Sequence, residues 1–262
     1  MTQLHITKPL TIFVTGCSRG LGLEFVKQLL TKQKDSLVIA TCREPSKAED
    51  LQKLKEGYSK RLHVVPLDVS DEKSIEKVPH VLSKDLGISS IDWLINNAGY
   101  VDSDSMIKVY RTNVIGPILI SDALIPYLTH DLSKRDYIPR IVNLSSLLGS
   151  ITTFQSIKHN ADASVLSAPS YRCSKAALNM LTQCIDKDLN DKIQRTYSDS
   201  KKGVIVIACS PGWVVTDMGT VGGRKPPLTS EQSIQGMLSV IENVKLDDSG
   251  KFFSFDGKTL PW

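Results

Sequence analysis

The sequence predicts an α/β fold in which a doubly wound, mostly parallel seven-stranded sheet carries helices on both faces. Short apolar runs are typical of buried parallel strands, and most of the segments between them are predicted to be helical. These include roughly 103–129, despite Pro117 and Pro126, and about 170–187. The first run ends in a glycine-rich turn, and later runs end in polar or small residues. The predicted strands cover residues 10–14, 37–41, 62–67, 91–95, 140–144, 203–208 and about 252–255. No linker or repeat divides the chain, so we expect a single domain over residues 1–262.

Composition and charge exclude several classes of protein. The 262 residues are 41% hydrophobic and carry a formal net charge of +4, which is too mild to indicate a nucleic-acid partner. We find no secretory leader and no run of about eighteen apolar residues, and we therefore expect no membrane partner. The five cysteines are scattered without a CxxC pair, so we expect no metal site and interpret them as reduced thiols of a cytoplasmic protein.

The glycine-rich turn at residues 15–22 has the pattern TGxxxGxG and opens a helix with Leu21, Phe25 and Leu29 on one stripe. A strand, a glycine turn and a helix N-terminus form the anion site of Rossmann-type domains, where main-chain amides face a pyrophosphate. A tight turn without a ligand is the alternative. The residues expected to contact a dinucleotide here are Gly16, Ser18, Arg19, Gly20, Leu21 and Gly22.

The ends of the second and third strands bear on the choice of dinucleotide. NAD-binding folds usually carry an acidic residue near the second strand end, whereas this chain has Arg43 there and Arg19 in the glycine turn. Guanidinium groups suit a 2′-phosphate, which favours NADP over NAD, although the adjacent Glu44 leaves solvated arginines as the alternative. After the third strand, Asp68 and Val69 are cofactor candidates; Asp68 is either an adenine acceptor or a helix cap.

Three later strand ends bring further candidates to the same edge of the sheet, because carboxyl ends of parallel strands line the ligand crevice. The fourth strand runs into Asn97, Ala98 and Gly99 after Asn96, and the fifth into Ser145 and Ser146. One hydroxyl there is suited to polarise a substrate carbonyl. The turn after the sixth strand is expected to hold a nicotinamide through Pro211, Gly212, Val214 and Thr216.

Tyr171 and Lys175 lie four positions apart and therefore share one face of a predicted helix. An unperturbed phenol has a pKa of about 10 and is a poor proton carrier at neutral pH. A nearby ammonium favours the phenolate and lowers that pKa, which makes the pair suitable for acid–base chemistry. Taken alone, the spacing also fits a pair of surface side chains.

In this order, the motifs resemble those of the short-chain dehydrogenase/reductase family over essentially the whole chain. The set comprises TGxxxGxG at 15–22, NNAG at 96–99, Asn113, Ser146, YxxxK at 171–175 and Pro-Gly at 211–212. Residues 148–151, 211–219, 226–229 and 256–262 are similar to sniffer-type carbonyl reductases and C-factor-like proteins. The resemblance implies a cofactor half at about 1–150 and a catalytic and substrate half at about 140–262.

The resemblance also implies a function: an NADP(H)-dependent oxidoreductase that transfers hydride between the nicotinamide and a small carbonyl or alcohol substrate. In that reading Tyr171 donates the proton, while Lys175 lowers its pKa and binds the nicotinamide ribose. Ser146, the second serine of its pair, holds the carbonyl oxygen, and Asn113 supports a water in the proton relay. Tyr171, Lys175 and Asn113 also contact the cofactor, and Trp213 joins Ser146 and Tyr171 in contacting substrate.

One departure and two alternatives accompany this interpretation. Tyr171 follows Ser146 by 25 positions, more than in the family's shortest members, and the segment 148–169 is expected to form a substrate wall or a subunit contact. A homo-oligomer is expected, with a dimer favoured. A dinucleotide-binding signalling or sensor protein on the same fold is one alternative. An epimerase or dehydratase of the extended relatives is the other, but those carry TGxxGxxG and a longer C-terminal domain.

Overall fold

The computed structural model describes residues 9–157, 168–197 and 201–262. Their strands form one seven-stranded sheet in the order β3-β2-β1-β4-β5-β6-β7, and every neighbouring pair is parallel. The strands are β1 Thr11–Val14, β2 Leu37–Cys42, β3 Leu62–Pro66, β4 Trp93–Asn96, β5 Arg140–Leu144, β6 Ile205–Ser210 and β7 Phe252–Ser254. The chain reverses its direction of progress across the sheet between β1 and β4, so the crevice of a doubly wound fold lies there.

Helices connect the strands, as the predicted α/β class requires. They are α1 Gly20–Lys32, α2 Glu49–Gly57, α3 Glu72–Glu76, α4 Val78–His80, α5 Met106–Tyr110, α6 Gly116–Thr129, α7 Ile151–Gln155, α8 Pro169–Thr196 and α9 Ser230–Asn243. Two π-helical turns, Val81–Asp85 and Arg111–Ile115, follow α4 and α5. The prediction of a doubly wound sheet with helices on both faces is confirmed.

The sheet separates two apolar cores, because alternate strand residues face opposite sides. Ile12 and Val14 of β1 pack with Phe25 of α1 and Met237 of α9 on one face. Phe13, between those two strand residues, packs into the core of the other face. That second core also contains Ile75, Leu82, Ile120, Leu124, Ile185 and Leu189. Because both faces of these strands are buried, successive strand residues are apolar. The strands therefore appear in the sequence as short apolar runs.

Most predicted bounds agree with the structure to within one or two residues at each end, and the helix that carries Tyr171 and the sixth strand show the largest differences. The helix expected at about 170–187 continues to Thr196, because Leu189 and Ile193 extend its buried stripe beyond Ile185. The sixth strand begins at Ile205 rather than 203 and reaches Ser210, since it pairs with β5 and then with β7 up to that residue.

The segment between β4 and β5, predicted to be mostly helical despite Pro117 and Pro126, is helical from Met106 to Thr129. Its middle is the π-helical turn that contains Asn113. Such turns interrupt a regular helix by one residue and are frequent at functional sites.

The described part of the chain contains no candidate membrane span and no candidate metal cluster. None of its helices is long and apolar enough to cross a membrane. No group of three or more His, Cys, Asp or Glu side chains within it is placed to hold a metal ion. The predicted wall segment 148–169 contains α7 and ends where α8 begins, and its residues 158–167 lie outside the described residues.

Candidate active site

The glycine turn between β1 and α1 closely approaches the end of β4. A Cβ on Gly16, whose φ is +71°, would lie 2.8 Å from the Ala98 Cα, and one on Gly22 would lie 2.1 Å from the Gly16 carbonyl oxygen. Gly20 has a φ of +57° but meets only Thr216 across the crevice, at 3.8 Å. The turn is therefore closed on the protein side and open where a ligand would approach.

The N-terminus of α1 has unused anion-binding capacity. Arg19 is its N-cap and makes no capping hydrogen bond through its side chain, and the first turn contains no acidic residue. Ser18, Arg19 and Gly20 are exposed, and Leu21 is half-buried. Free amides and the positive end of a helix dipole favour a phosphate group at this position.

Residues after β4 tie the glycine turn to the sheet. The Asn97 side-chain amide donates to the main-chain oxygens of Thr15 at 2.8 Å and Gly16 at 3.1 Å. The Ala98 amide donates to the Thr15 hydroxyl at 3.0 Å. A Cβ on Gly99 would lie 3.8 Å from the Asn113 side chain and 3.9 Å from the Lys175 Nζ. The NNAG segment thus links the glycine turn to the acid–base pair.

The charged residues after β2 and in the glycine turn are the ones on which the NADP prediction rests. Arg43 follows the last residue of β2 and is exposed. The neighbouring Glu44 carboxylate pairs with Lys47, which lowers its pKa through a hydrogen bond and the lysine charge. Arg19 pairs instead with Asp217, at 3.2 Å, and both side chains are exposed. Of the three cations, Arg43 is the one that no described carboxylate engages in an ion pair.

Asp68 does not cap the helix after β3. Asp71 is the cap of α3, and its carboxylate accepts from the Lys73 amide at 3.1 Å. The Asp68 Oδ1 accepts from the amide and hydroxyl of Ser70, at 2.9 and 2.7 Å. Val69 is buried, and its carbonyl oxygen would lie 2.6 Å from a Cβ on Gly116. The structure therefore removes one of the two readings of Asp68, while its contact with adenine stays a prediction.

The turn after β6 forms the far wall of the crevice. Gly212 has a φ of +78°, and a Cβ there would lie 2.6 Å from Leu228. The Pro211 carbonyl accepts from the Ser233 hydroxyl at 2.7 Å, and Val214 bridges to Leu228. These contacts fix the main chain that is expected to face a nicotinamide.

Two side chains of this turn are partly used within it. The Thr216 hydroxyl accepts from the Gly219 amide at 3.1 Å, so only its remaining capacity is free for a carboxamide. The Trp213 indole donates to the Gly219 carbonyl at 3.0 Å, and the side chain is 48% exposed. Its contact with substrate stays a prediction.

Tyr171, Lys175 and Ser146 come together at the carboxyl end of β5. Tyr171 and Lys175 lie in the first two turns of α8, and Lys175 Nζ is 5.6 Å from the centre of the Tyr171 ring. Lys175 is 4% exposed, and its ammonium donates to the Leu144 carbonyl at 2.7 Å. The Ser146 side chain hydrogen-bonds to that of Tyr171. A phenol, a hydroxyl and an ammonium therefore meet in one place.

Burial dominates the protonation of this cluster. Tyr171 is half-buried as a residue, and burial of its hydroxyl raises its pKa to about 12, while the hydrogen bond from Ser146 acts in the opposite direction. Burial also lowers the pKa of Lys175 from 10.5 to about 8. Burial of the phenol therefore acts against the lowering of the Tyr171 pKa expected from Lys175, and that effect of Lys175 stays a prediction.

Asn113 joins three segments around the cluster. Its Oδ1 accepts from the Tyr100 amide at 2.8 Å, and its Nδ2 donates to the Tyr100 carbonyl at 2.9 Å and to the Ser174 hydroxyl at 3.0 Å. Because both amide hydrogens are used within the protein, a relay water would have to bind its remaining acceptor positions. Asn113 is fully buried.

The sequence analysis did not identify Asn179. This side chain is 4% exposed, accepts from the Ser145 hydroxyl at 2.5 Å and donates to the Gly149 carbonyl at 3.4 Å. A signal was present, since Asn179 follows Lys175 by four positions and Tyr171 by eight, which places all three on one helix face. The bond also buries Ser145, so Ser146 is the serine that remains accessible.

Comparisons with known proteins agree with this geometry. A family model described as short chain dehydrogenase matches residues 10–225. A solved carbonyl reductase from chicken fatty liver, described as NADPH bound, is 36% identical with a TM-score of 0.83, covering 97% of this chain and 100% of that one. The carbonyl reductase Sniffer of D. melanogaster is 27% identical with a TM-score of 0.82 and the same coverage.

A bacterial protein is also among the relatives. The C-signal protein of Myxococcus xanthus is 32% identical over 181 residues, covering 66% of this chain and 93% of the relative. The predicted resemblance to sniffer-type and C-factor-like proteins is thereby confirmed. Since the family match runs from the start of β1 to beyond β6 and includes the glycine turn and the Tyr171–Lys175 pair, the chain belongs to the short-chain dehydrogenase family.

Proposed function

We propose that this protein is an NADP(H)-dependent carbonyl reductase that acts on a small ketone, aldehyde or quinone. The observation that carries the proposal is the meeting of Tyr171, Ser146 and Lys175 at the carboxyl edge of the sheet, opposite the glycine turn. The chicken carbonyl reductase supports it, since that relative is described as NADPH bound.

The residues present fit a dinucleotide. The uncapped end of α1 offers amides to a pyrophosphate, and Gly20 leaves open the space into which a side chain would project. The Lys175 ammonium lies beside Gly99 at the same edge of the sheet, where it would bind a ribose hydroxyl. When bound, the reduced nicotinamide supplies the hydride that the reaction needs.

The side chains of the cluster supply the proton. The high pKa of Tyr171 keeps its hydroxyl protonated at neutral pH, so it can give that proton to the oxygen of a carbonyl substrate. The Ser146 hydroxyl holds the same oxygen by a hydrogen bond. The Lys175 ammonium, protonated below about pH 8, stabilises the phenolate that Tyr171 becomes.

A preference for NADP over NAD follows from the end of β2. Arg43 stands where NAD-binding folds place an acid, and Glu44 is turned toward Lys47. A guanidinium group at this position suits a 2′-phosphate.

A signalling or sensor role is the second candidate, and the similarity to the C-signal protein favours it. It requires dinucleotide binding but no turnover. The homodimer and the cytoplasmic location remain predictions. Light scattering of the purified protein and microscopy of a tagged chain test them respectively.

The first test is the consumption of NADPH, followed optically, with quinones, dicarbonyls and aldehydes, and NADH in parallel. We expect turnover with NADPH and much less with NADH. Tyr171→Phe should leave the dissociation constant of NADPH within about twofold and lower kcat by at least about 10²-fold, the usual contribution of a general acid. Turnover by Tyr171→Phe at the wild-type rate would refute the proposed role.

Tyr58→Phe is the matched control. Tyr58 lies at the end of α2, away from the crevice, and its ring contacts the Arg61 guanidinium, which phenylalanine also permits. Its kcat should equal that of the wild type. Binding of NADPH without turnover on any carbonyl by the wild type would favour the sensor.

A further inference from the structure

We infer that Asn179 is a positioning residue that holds the Ser146 loop against the helix carrying Tyr171 and Lys175. The inference rests on the proposed function, which assigns no role to Asn179. It concerns how two parts of the cluster that lie far apart in the chain keep their relative position.

One side chain holds both ends of the loop. Asn179 Oδ1 accepts from Ser145, immediately before Ser146, and Asn179 Nδ2 donates to the carbonyl of Gly149, three residues after it. Asn179 and Ser145 are both nearly inaccessible to water, at 4% and 2% exposure. A buried hydrogen bond of this kind fixes geometry, because breaking it leaves polar atoms without partners.

Gly149 of the same loop also packs closely against α8 at Lys175. A Cβ on Gly149 would lie 2.7 Å from the main-chain carbon and the Cβ of Lys175. The loop thus packs directly on the helical turn between Lys175 and Asn179. Gly149 therefore contacts both Lys175 and Asn179 on α8.

The loop has other anchors, so loss of Asn179 should displace it without unfolding the domain. The Ser145 amide donates to the Cys209 carbonyl at 2.8 Å, and the Leu147 amide donates to the Ser210 hydroxyl at 3.2 Å. These bonds fix the loop to β6. From α8, the Lys175 carbonyl lies 3.4 Å from the Ser145 hydroxyl, and the Arg172 guanidinium donates to the Leu148 carbonyl at 3.5 Å. Asn179, however, is the side chain that bonds to both Ser145 and Gly149.

The same helix offers a matched control. Asn190 donates to the Asp186 carboxylate and the Val204 carbonyl, both at 2.9 Å, and accepts from the Val204 amide at 2.9 Å. It is a structural asparagine more than two turns beyond Asn179 and touches no part of the cluster. Asn190→Ala should lower thermal stability and leave kcat within about twofold of the wild type.

The experiment compares Asn179→Ala, Asn179→Asp, Ser145→Ala and Asn190→Ala. We expect Asn179→Ala to lower kcat at least about tenfold, since small misplacements of reacting groups cost up to about 10²-fold. Its dissociation constant for NADPH should stay within about twofold. Asn179→Asp keeps the acceptor for Ser145 and should recover part of kcat. Ser145→Ala combined with Asn179→Ala should be no worse than Asn179→Ala alone.

A second readout needs no substrate. In protein labelled with ¹³C at the tyrosine ζ carbon, the Tyr171 resonance is identified by its absence in Tyr171→Phe. We expect Asn179→Ala to shift it, because Ser146 then no longer reaches the Tyr171 hydroxyl, and Asn190→Ala to leave it in place. If Asn179→Ala does not fold, Ser145→Ala and Asn179→Asp provide the same comparison.

The outcomes separate the inference from the proposed function. An unmoved Tyr171 resonance in folded Asn179→Ala overturns the inference, and so does a kcat within about twofold of an active wild type. A shifted resonance in a protein whose wild type reduces no carbonyl would refute the reductase and leave the positioning role standing.

Discussion

The two sides of the crevice are built by different means. On the cofactor side, residues 15–22 are contiguous, and their main chain supplies the binding groups beside exposed arginines. On the catalytic side, Asn113 from the π-helical turn and Lys175 and Asn179 from α8 are buried side chains, and each makes a hydrogen bond to a different segment. The first side should therefore be sensitive to added atoms, and the second to removed partners or altered charge.

The largest expected effect is from Gly22→Ala on the cofactor side. The new Cβ would lie 2.1 Å from the Gly16 oxygen and 2.5 Å from the Asn97 Nδ2, so the turn must open. We expect NADPH binding to fall below detection in a fluorescence titration, with a loss of roughly 1–3 kcal/mol in the free energy of unfolding. Gly57→Ala is the control, because a Cβ there meets nothing within 4 Å. Equal behaviour of the two variants would contradict the tight turn.

The second prediction concerns charge on the catalytic side. Folded Lys175 loses its proton near pH 8, whereas the unfolded group does so near 10.5. Between these values the unfolded chain binds more protons, so the free energy of unfolding of the protein without cofactor should rise with pH. Each pKa unit corresponds to about 1.4 kcal/mol, which gives a rise of about 3 kcal/mol at most.

Lys175→Met should abolish this rise and increase the free energy of unfolding at pH 7. Loss of the hydrogen bond from Lys175 to the Leu144 carbonyl should offset part of that increase. Urea unfolding from about pH 7 to pH 10 measures both quantities, since that interval crosses the pKa of about 8 of folded Lys175. Lys187→Met, an exposed position on the same helix, should keep the wild-type slope. A wild-type slope that is flat across this interval would show that burial does not depress the Lys175 pKa.

The same contrast explains what could be predicted from the sequence. The glycine turn could be predicted because its motif is contiguous in the sequence, although the contacts that require Gly16 and Gly22 also involve Ala98 and Asn97 at the end of β4. The strands were readable because both faces of the sheet are buried. The sequence alone did not decide whether Asp68 caps the helix after β3. Asp71, three positions later, is an equally suitable capping residue, and the structure shows that it is the cap.

The catalytic side was predictable only in part. The spacing of Tyr171 and Lys175 and the motifs around them identify this pair in the sequence. The role inferred for Asn179 depends on its hydrogen bond with Ser145, which lies 34 positions earlier in the chain. The pKa of Tyr171 depends on how the folded chain buries its hydroxyl. The spacing of two residues on a helix carries no information about that burial. Long-range packing decided what the sequence left open.

The third prediction tests the exposed arginine of the cofactor side. Arg43→Ala should raise the dissociation constant of NADPH about tenfold, which corresponds to about 1.4 kcal/mol, and leave that of NADH unchanged. Isothermal titration with both cofactors measures this. Arg195→Ala removes an exposed arginine from the last turn of α8 and should change neither value. A parallel loss of NADH affinity in Arg43→Ala would place Arg43 elsewhere than at the 2′-phosphate.

The smallest expected effect is from Asp217→Asn. The Asp217 carboxylate pairs with Arg19 at 3.2 Å, but both side chains are more than three-quarters exposed, and such pairs contribute little to stability. The unfolding midpoint should therefore not change. Because Asp217 competes with a phosphate for the Arg19 guanidinium, its removal should tighten NADPH binding by up to about threefold, and more at low salt than at high salt, where screening is stronger.

Titration of Asp217→Asn at about 0.01 M and 0.1 M salt, which changes the screening length roughly threefold, measures this effect. Asp256→Asn, which breaks an exposed pair with Lys258, is the control and should not alter NADPH binding. Weaker binding in Asp217→Asn would reverse the interpretation. The ion pair between Arg19 and Asp217 would then join the glycine turn to the turn after β6 and help to retain the cofactor. An exposed contact on the cofactor side would in that case hold two segments together, as the buried hydrogen bonds do on the catalytic side.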